Sequence, residues 1–248
     1  MVVVKLTSST PSTRTQRVMA NILQCRQLMD NSSKNHPRNL IPELCQKLYY
    51  ANGSENGWLC GGRGGLSIKY NDYIFVTPSG VQMERLKPDD IFILNLEGEE
   101  FIVPSPEKKL IKSQSTTIFI SAFNERNAEA VIHVLSVGAV ELCMVNPGNE
   151  VKITYSKTIK GIFNEQTRQF YKKNEEIIIP IIENAKYEKD LVGTFKMALK
   201  NYPSTSAVLV RNHGIYVWGC DWKLAKKQLE CYENLFQDEI SKRINKFN

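Results

Sequence analysis

The segment from Ser206 to Ile240 leaves this chain few ways to fold. Ser206-Ala-Val-Leu-Val-Arg-Asn-His213-Gly and Ile215-Tyr-Val-Trp218 are two β-prone apolar runs meeting at a His-Gly step, which reads as two strands joined by a tight turn. Asp221 follows, a residue type suited to a helix N-cap. Trp222, Ala225, Leu229, Tyr232, Phe236 and Ile240 then recur every three to four residues, the period of a helix with one apolar face. A half-buried hairpin and an amphipathic helix must each cover an apolar face, so a layered sheet-and-helix domain is expected.

The rest of the chain agrees with that class. Apolar spacing predicts a helix over Pro37–Tyr50, with Pro at its start where the missing N–H costs least. Short strands are expected at Leu66–Lys69, Tyr73–Val76 and Ile91–Asn95, and a helix at Ser113–Asn124. Ala130-Val-Ile-His133 reads as a buried strand ending in a histidine, Val137–Met144 as a helix, and Tyr187–Asn201 as another helix. Ile177–Ile182 is an apolar strand whose Pro180 predicts an edge or an end. Strands and helices alternate without a regular βαβ rhythm. The expected fold is therefore α/β, with one central, mostly antiparallel sheet flanked by helices.

Composition excludes several classes. No run approaches the roughly 20 apolar residues of a membrane span. The net charge of +6 comes from scattered Lys and Arg without interleaved aromatics, so a nucleic-acid groove is not expected. Six cysteines show no C-x-x-C pair, which fits free thiols in a reducing cytoplasm. Residues 1–35 are expected to be a flexible leader with one short helix around Val18–Met29. Met1–Met29 lacks Asp and Glu and carries Lys5, Arg14, Arg17 and Arg26, a composition that a mitochondrial transit peptide shares. The domain is expected over 36–248, with His36 exposed in the entry loop.

Three elements are candidates for holding an anion. Gly61-Gly-Arg-Gly-Gly65 offers backbone N–H groups at close range. Thr77-Pro-Ser-Gly80 adds a hydroxyl at a turn, and Ile111-Lys-Ser-Gln-Ser115 adds a cation and two hydroxyls at an expected helix start. Gly64, Gly65, Ser79, Gly80 and Ser113 are the expected contacts to a phosphate, with Arg63 beside them. His133 and His213 both fall at expected strand ends, where polar groups converge in layered folds, and imidazole is the commonest metal ligand.

These stretches, together with His36-Pro-Arg-Asn-Leu-Ile-Pro-Glu-Leu-Cys45, Lys152-Ile-Thr154, Ile159-Lys-Gly-Ile162 and Pro180-Ile-Ile-Glu-Asn184, resemble the class II aldolase/adducin superfamily. Within it the likeness is to the methylthioribulose-1-phosphate dehydratases of methionine salvage, and it runs from about His36 to about Phe236. The resemblance implies a three-layer fold, a homotetramer with its site between subunits, and zinc held by three histidines. It also implies a glutamate acting as general acid/base and a cysteine beside the substrate. Matched residue by residue, His133 and His213 stand at two ligand positions, but the third is Leu135. Lys157 stands at the acid/base position and Ser115 at that of the cysteine. The expectation drawn from these changes is an inactive protein that keeps the fold and a phosphate pocket, with weak or absent zinc. It would assemble as a homo-oligomer or with an active paralogue. The alternative is a working zinc-dependent dehydratase with an altered site, for which Glu165 and Glu183 are candidate bases. A third reading is a non-catalytic interaction module of the adducin kind.

Overall fold

A computed structural model describes residues 3–4, 23, 25–29, 33–51, 57–154 and 156–244. Residues 25–29 are helical; the remainder of the expected leader helix lies outside the described residues, apart from Leu23. The strands are β1 (Val3–Val4), β2 (Gly65–Tyr70), β3 (Tyr73–Val76), β4 (Pro78–Ser79), β5 (Phe92–Leu94), β6 (Glu100–Val103) and β7 (Ile111–Lys112). They continue as β8 (Ala130–Val134), β9 (Glu150–Ile153), β10 (Phe163–Asn164), β11 (Gln169–Phe170), β12 (Ile177–Ile182), β13 (Ala207–Val210) and β14 (Gly214–Gly219). The longer helices are α1 (Pro37–Tyr49), α2 (Thr116–Arg126), α3 (Val137–Met144), α4 (Val192–Asn201) and α5 (Trp222–Ile244).

Ten strands form one sheet in the order β1-β6-β5-β3-β2-β8-β14-β13-β12-β9. Among its described pairings only β12–β13 is parallel, so the mostly antiparallel α/β sheet is as expected. One apolar cluster lies under α1, α3 and α5, and a second under α2 and α4, which makes three layers. The hairpin β13–β14 turns at Asn212–His213. Asp221 caps α5 as the sequence predicts, its Oδ1 accepting from Leu224 N–H at 2.7 Å.

Three local expectations are corrected. Tyr187–Asn201 is not one helix: Glu188–Leu191 forms a 3₁₀ turn before α4. β12 is not an edge, because it pairs with β9 through Ile177–Pro180 and with β13 through Ile181–Ile182. Pro180 sits where the partner changes, the place in an interior strand where a missing N–H interrupts the ladder least. His36 is not exposed. It is buried at the N-cap of α1, where Nδ1 accepts from Arg38 N–H at 3.4 Å, and its ring meets Tyr70 and Phe75 edge to face.

β8 lies between β2 and β14, and both neighbours approach its C-terminal end through glycine. A Cβ on Gly64 would stand 2.6 Å from the His133 carbonyl oxygen, and one on Gly214 would stand 2.1 Å from that of Val134. Both have positive φ, +82° and +154°, so a side chain meets strain as well as a clash. Gly214→Ala is expected to destabilise the protein by at least about 2 kcal/mol. Gly193→Ala, on α4 with nothing within 4 Å of the added carbon, is expected to leave stability unchanged or slightly higher. Urea unfolding of both variants checks the contrast.

Candidate active site

His133 and His213 converge, although 80 residues separate them. Tyr216 is the cross-strand partner of His133, and the two rings stack with centroids 4.0 Å apart. His133 is fully buried, and its Nδ1 lies 3.1 Å from the Ile215 carbonyl oxygen. A carbonyl only accepts, so Nδ1 carries the proton and Nε2 presents a bare lone pair. That lone pair points at His213 Nε2, 3.1 Å away. Burial lowers the pKa of His133 to about 4, against a partly opposing pull from Glu188. His213 is lowered too, chiefly by burial.

Glu188 completes the cluster. The 3₁₀ turn of Glu188–Leu191 carries its carboxylate toward the histidines, with Oε1 4.0 Å from His213 Nε2. Its Oε2 accepts from the Ser115 hydroxyl and, at 3.1 Å, from Tyr216 OH. Tyr216 stays protonated, because burial and the Glu188 charge push its pKa well up. One atom from each of His133, His213 and Glu188 lies within 4.8 Å of the others. The set fits a divalent cation. One imidazole has its tautomer fixed by a backbone carbonyl, both are held neutral, and the carboxylate has one oxygen anchored and one facing inward. Sequence reasoning missed Glu188, since helical periodicity makes it one charge among several on a solvent face.

The three elements expected to hold an anion also come together. A Cβ on Gly65 would meet Thr77 Oγ1 at 2.9 Å and Ser113 Oγ at 3.3 Å, and one on Gly62 would meet the Val81 carbonyl at 3.1 Å. Ser113 N–H donates to the Thr77 carbonyl, and Ser79 pairs with Ile111 between β4 and β7. Gly64, Gly65, Ser79, Gly80 and Ser113 thus belong to one group of contiguous turns. Gly80 has φ +68° with nothing within 4 Å of its Cα face. Ser115 is buried, and its side chain is bonded to Glu188. Arg63 is exposed, close enough to His213 to lower its pKa.

The other sequence candidates lie elsewhere. Leu135 brings no donor and lines a cavity with Trp58 and Val137. Lys157 is exposed at the start of the 3₁₀ turn Thr158–Gly161, which packs on α5. Glu165 pairs with Arg168 at 2.7 Å, and Glu183 with Arg211 Nε at 2.7 Å. Arg211 also donates to the carbonyls of Cys143, Asn146 and Gly148 at 3.2, 3.0 and 2.9 Å, so it ties the end of α3 to the His213 turn.

The folded-state pKa of His133, about 4, lies below its ordinary value of 6.5. Between those values the unfolded chain binds a proton that the folded chain refuses, so stability is full above about pH 6.5 and falls as pH drops toward 4. In metal-free protein that loss is expected to be on the order of a few kcal/mol. Unfolding free energies at pH 7.5 and 4.5 should show it shrinking in His133→Gln.

Residues 42–240 match the Class II Aldolase and Adducin N-terminal domain. A probable methylthioribulose-1-phosphate dehydratase of Acyrthosiphon pisum is 62% identical over 225 residues, covering 91% of this chain and 94% of that protein. The methylthioribulose-1-phosphate dehydratase of Homo sapiens is 44% identical over 217 residues, 88% of each chain. Among solved structures, an L-fuculose 1-phosphate aldolase aligns with a TM-score of 0.63 at 17% identity, covering 87% of this chain and 97% of its own. The L-fuculose-1-phosphate aldolase of Thermus thermophilus aligns at 0.61 and 18% identity, covering 84% and 95%. The structural likeness speaks for the fold, the three-layer arrangement that the resemblance implies. With the domain match over most of the sequence and relatives this similar along nearly their whole length, the chain belongs to the class II aldolase/adducin family.

Proposed function

We propose that this protein is a divalent-metal-dependent lyase that dehydrates methylthioribulose 1-phosphate in the cytoplasm, holding zinc with His133, His213 and Glu188. The observation that carries the reading is the convergence of those three ligand atoms within 4.8 Å, beside glycine turns suited to a phosphate. Glu188 then stands in for the third histidine of the family pattern, whose position is Leu135. Two imidazoles and one carboxylate leave a coordination position for a substrate oxygen. When bound, such a cation polarises a ketose carbonyl and eases loss of the neighbouring proton.

The chain's own residues supply the rest. Gly64, Gly65, Ser79, Gly80 and Ser113 hold the phosphate through backbone N–H groups and hydroxyls. The Ile215 carbonyl keeps the proton of His133 on Nδ1. Ser115 and Tyr216 donate to Glu188 Oε2 and orient Oε1. A tetramer, or a hetero-oligomer with a more complete paralogue, is part of the same reading.

A second reading is a protein that binds the sugar phosphate without turning it over. Lys157 favours it, because an exposed ammonium stands where the family pattern has a carboxylate. One experiment separates the two: dehydration of methylthioribulose 1-phosphate by zinc-loaded protein, with zinc content measured alongside. On the lyase reading, His213→Ala and Glu188→Gln should each lower turnover about a hundredfold or more and lower zinc content together with it. No turnover at full zinc occupancy would establish the binding reading instead. Leu135→His with Lys157→Glu should then create activity that neither change creates alone.

A further inference from the structure

A cavity of about 370 Å³ lies between β7, the start of α2 and the 3₁₀ turn that carries Glu188. It shares Glu188 with the candidate metal cluster and Ser113 with the glycine turns, so it borders both halves of the candidate site. Three further wall residues are aliphatic or aromatic. Ile120 is half-buried on α2 and packs on the apolar cluster beneath it. Ile111 and Tyr187 are 71% and 49% exposed.

Single exposed apolar side chains are ordinary, but two of them beside a third on the wall of one cavity make a surface that a ligand can cover. The ammonium groups of that wall are turned to protein partners. Lys112 Nζ donates to the Gly98 carbonyl at 3.1 Å, and Lys189 Nζ lies 5.5 Å from the centre of the Tyr187 ring. The loop at Gly98 seats directly on Ile120, where a Cβ would stand 2.5 Å from Cδ1, and so holds that wall in place. A sugar phosphate anchored near Ser113 and Glu188 has one end left over, and this cavity is apolar space beside both anchors. Its volume is in the range that holds a whole small ligand, more than a methylthio group fills.

We propose that this cavity receives the thioether end of the substrate and admits tails longer than methyl, so that the protein recognises 5-alkylthio sugar phosphates as a class. The inference rests on the lyase reading for its substrate, but the contact with the tail does not depend on turnover. Each added methylene leaves water for Ile111, Ile120 and Tyr187, a gain of about threefold to fourfold in affinity when the group is fully buried.

Calorimetric titration of the zinc-loaded full-length protein tests it, with 5-alkylthio-5-deoxyribitol 1-phosphates as probes. In these alditols a hydroxyl replaces the ketose carbonyl, so they cannot enolise and their binding is read apart from turnover. Affinity should rise about tenfold or more from the methylthio to the butylthio compound. Ile111→Trp, at an exposed wall position, should fill the cavity and bring the butylthio compound down to the methylthio one or below it. Ile120→Thr should cut the gain between the two about threefold and leave ribitol 1-phosphate, which has no thioether, unchanged. Affinity that is flat or falls with tail length, or a gain that survives intact in Ile111→Trp, would overturn the proposal and assign the exposed Ile111 and Tyr187 to a protein contact instead. Failure of all these phosphates to bind would overturn it as well. Affinity that climbs with tail length in a protein that does not turn over methylthioribulose 1-phosphate would uphold the tail site and reject the lyase reading alone.

Discussion

Close approach of three backbones at the end of β8 is the constraint on which the candidate active site depends. Gly64 on one side and Gly214 on the other reach within contact of the carbonyls of His133 and Val134. Only there can β2, β8 and β14 stay in register up to the point where the chain leaves the sheet. The consequence is chemical. His133 is held inside the sheet with one ring nitrogen committed to Ile215, while the turn after β13 delivers His213 to the other. The glycine turn that lets β2 approach is also part of the candidate phosphate cradle, so one backbone feature joins packing to the proposed recognition.

Much of this was legible in the sequence, and the reason is local. The β13–β14 hairpin, the cap at Asp221 and helix Val137–Met144 each follow from a short pattern that needs no distant partner. The two histidines at strand ends were legible for the same reason. Pro180 misled because the rule for prolines in strands assumes one neighbour per side along the whole strand, whereas β12 exchanges partners at that residue. His36 misled because a His-Pro pair in a polar stretch has no local signal for the aromatic wall of Tyr70 and Phe75 that covers it.

Glu188 is the more instructive omission. Residue-by-residue comparison with the family pattern shows what is missing at Leu135, Lys157 and Ser115, and reads the site as degraded. It has no means of finding a carboxylate supplied from a different part of the chain. The 3₁₀ turn before α4 sets its direction, and Ser115 and Tyr216 set its rotamer. Ser115 acquires a meaning that its linear position did not suggest: a hydroxyl orients that carboxylate as a hydrogen-bond donor, a task to which a thiol is poorly suited.

Arg211 has a mechanical consequence. Its guanidinium gathers the carbonyls at the end of α3, while the start of the same helix follows β8 by way of the Ser136 cap. α3 is therefore a strut, fixed at one end to the strand of His133 and clamped at the other to the turn of His213. An eight-residue helix thus spans the distance between the elements that carry the two imidazoles. Changing the length of that helix would reset the spacing of the two imidazoles without altering either one.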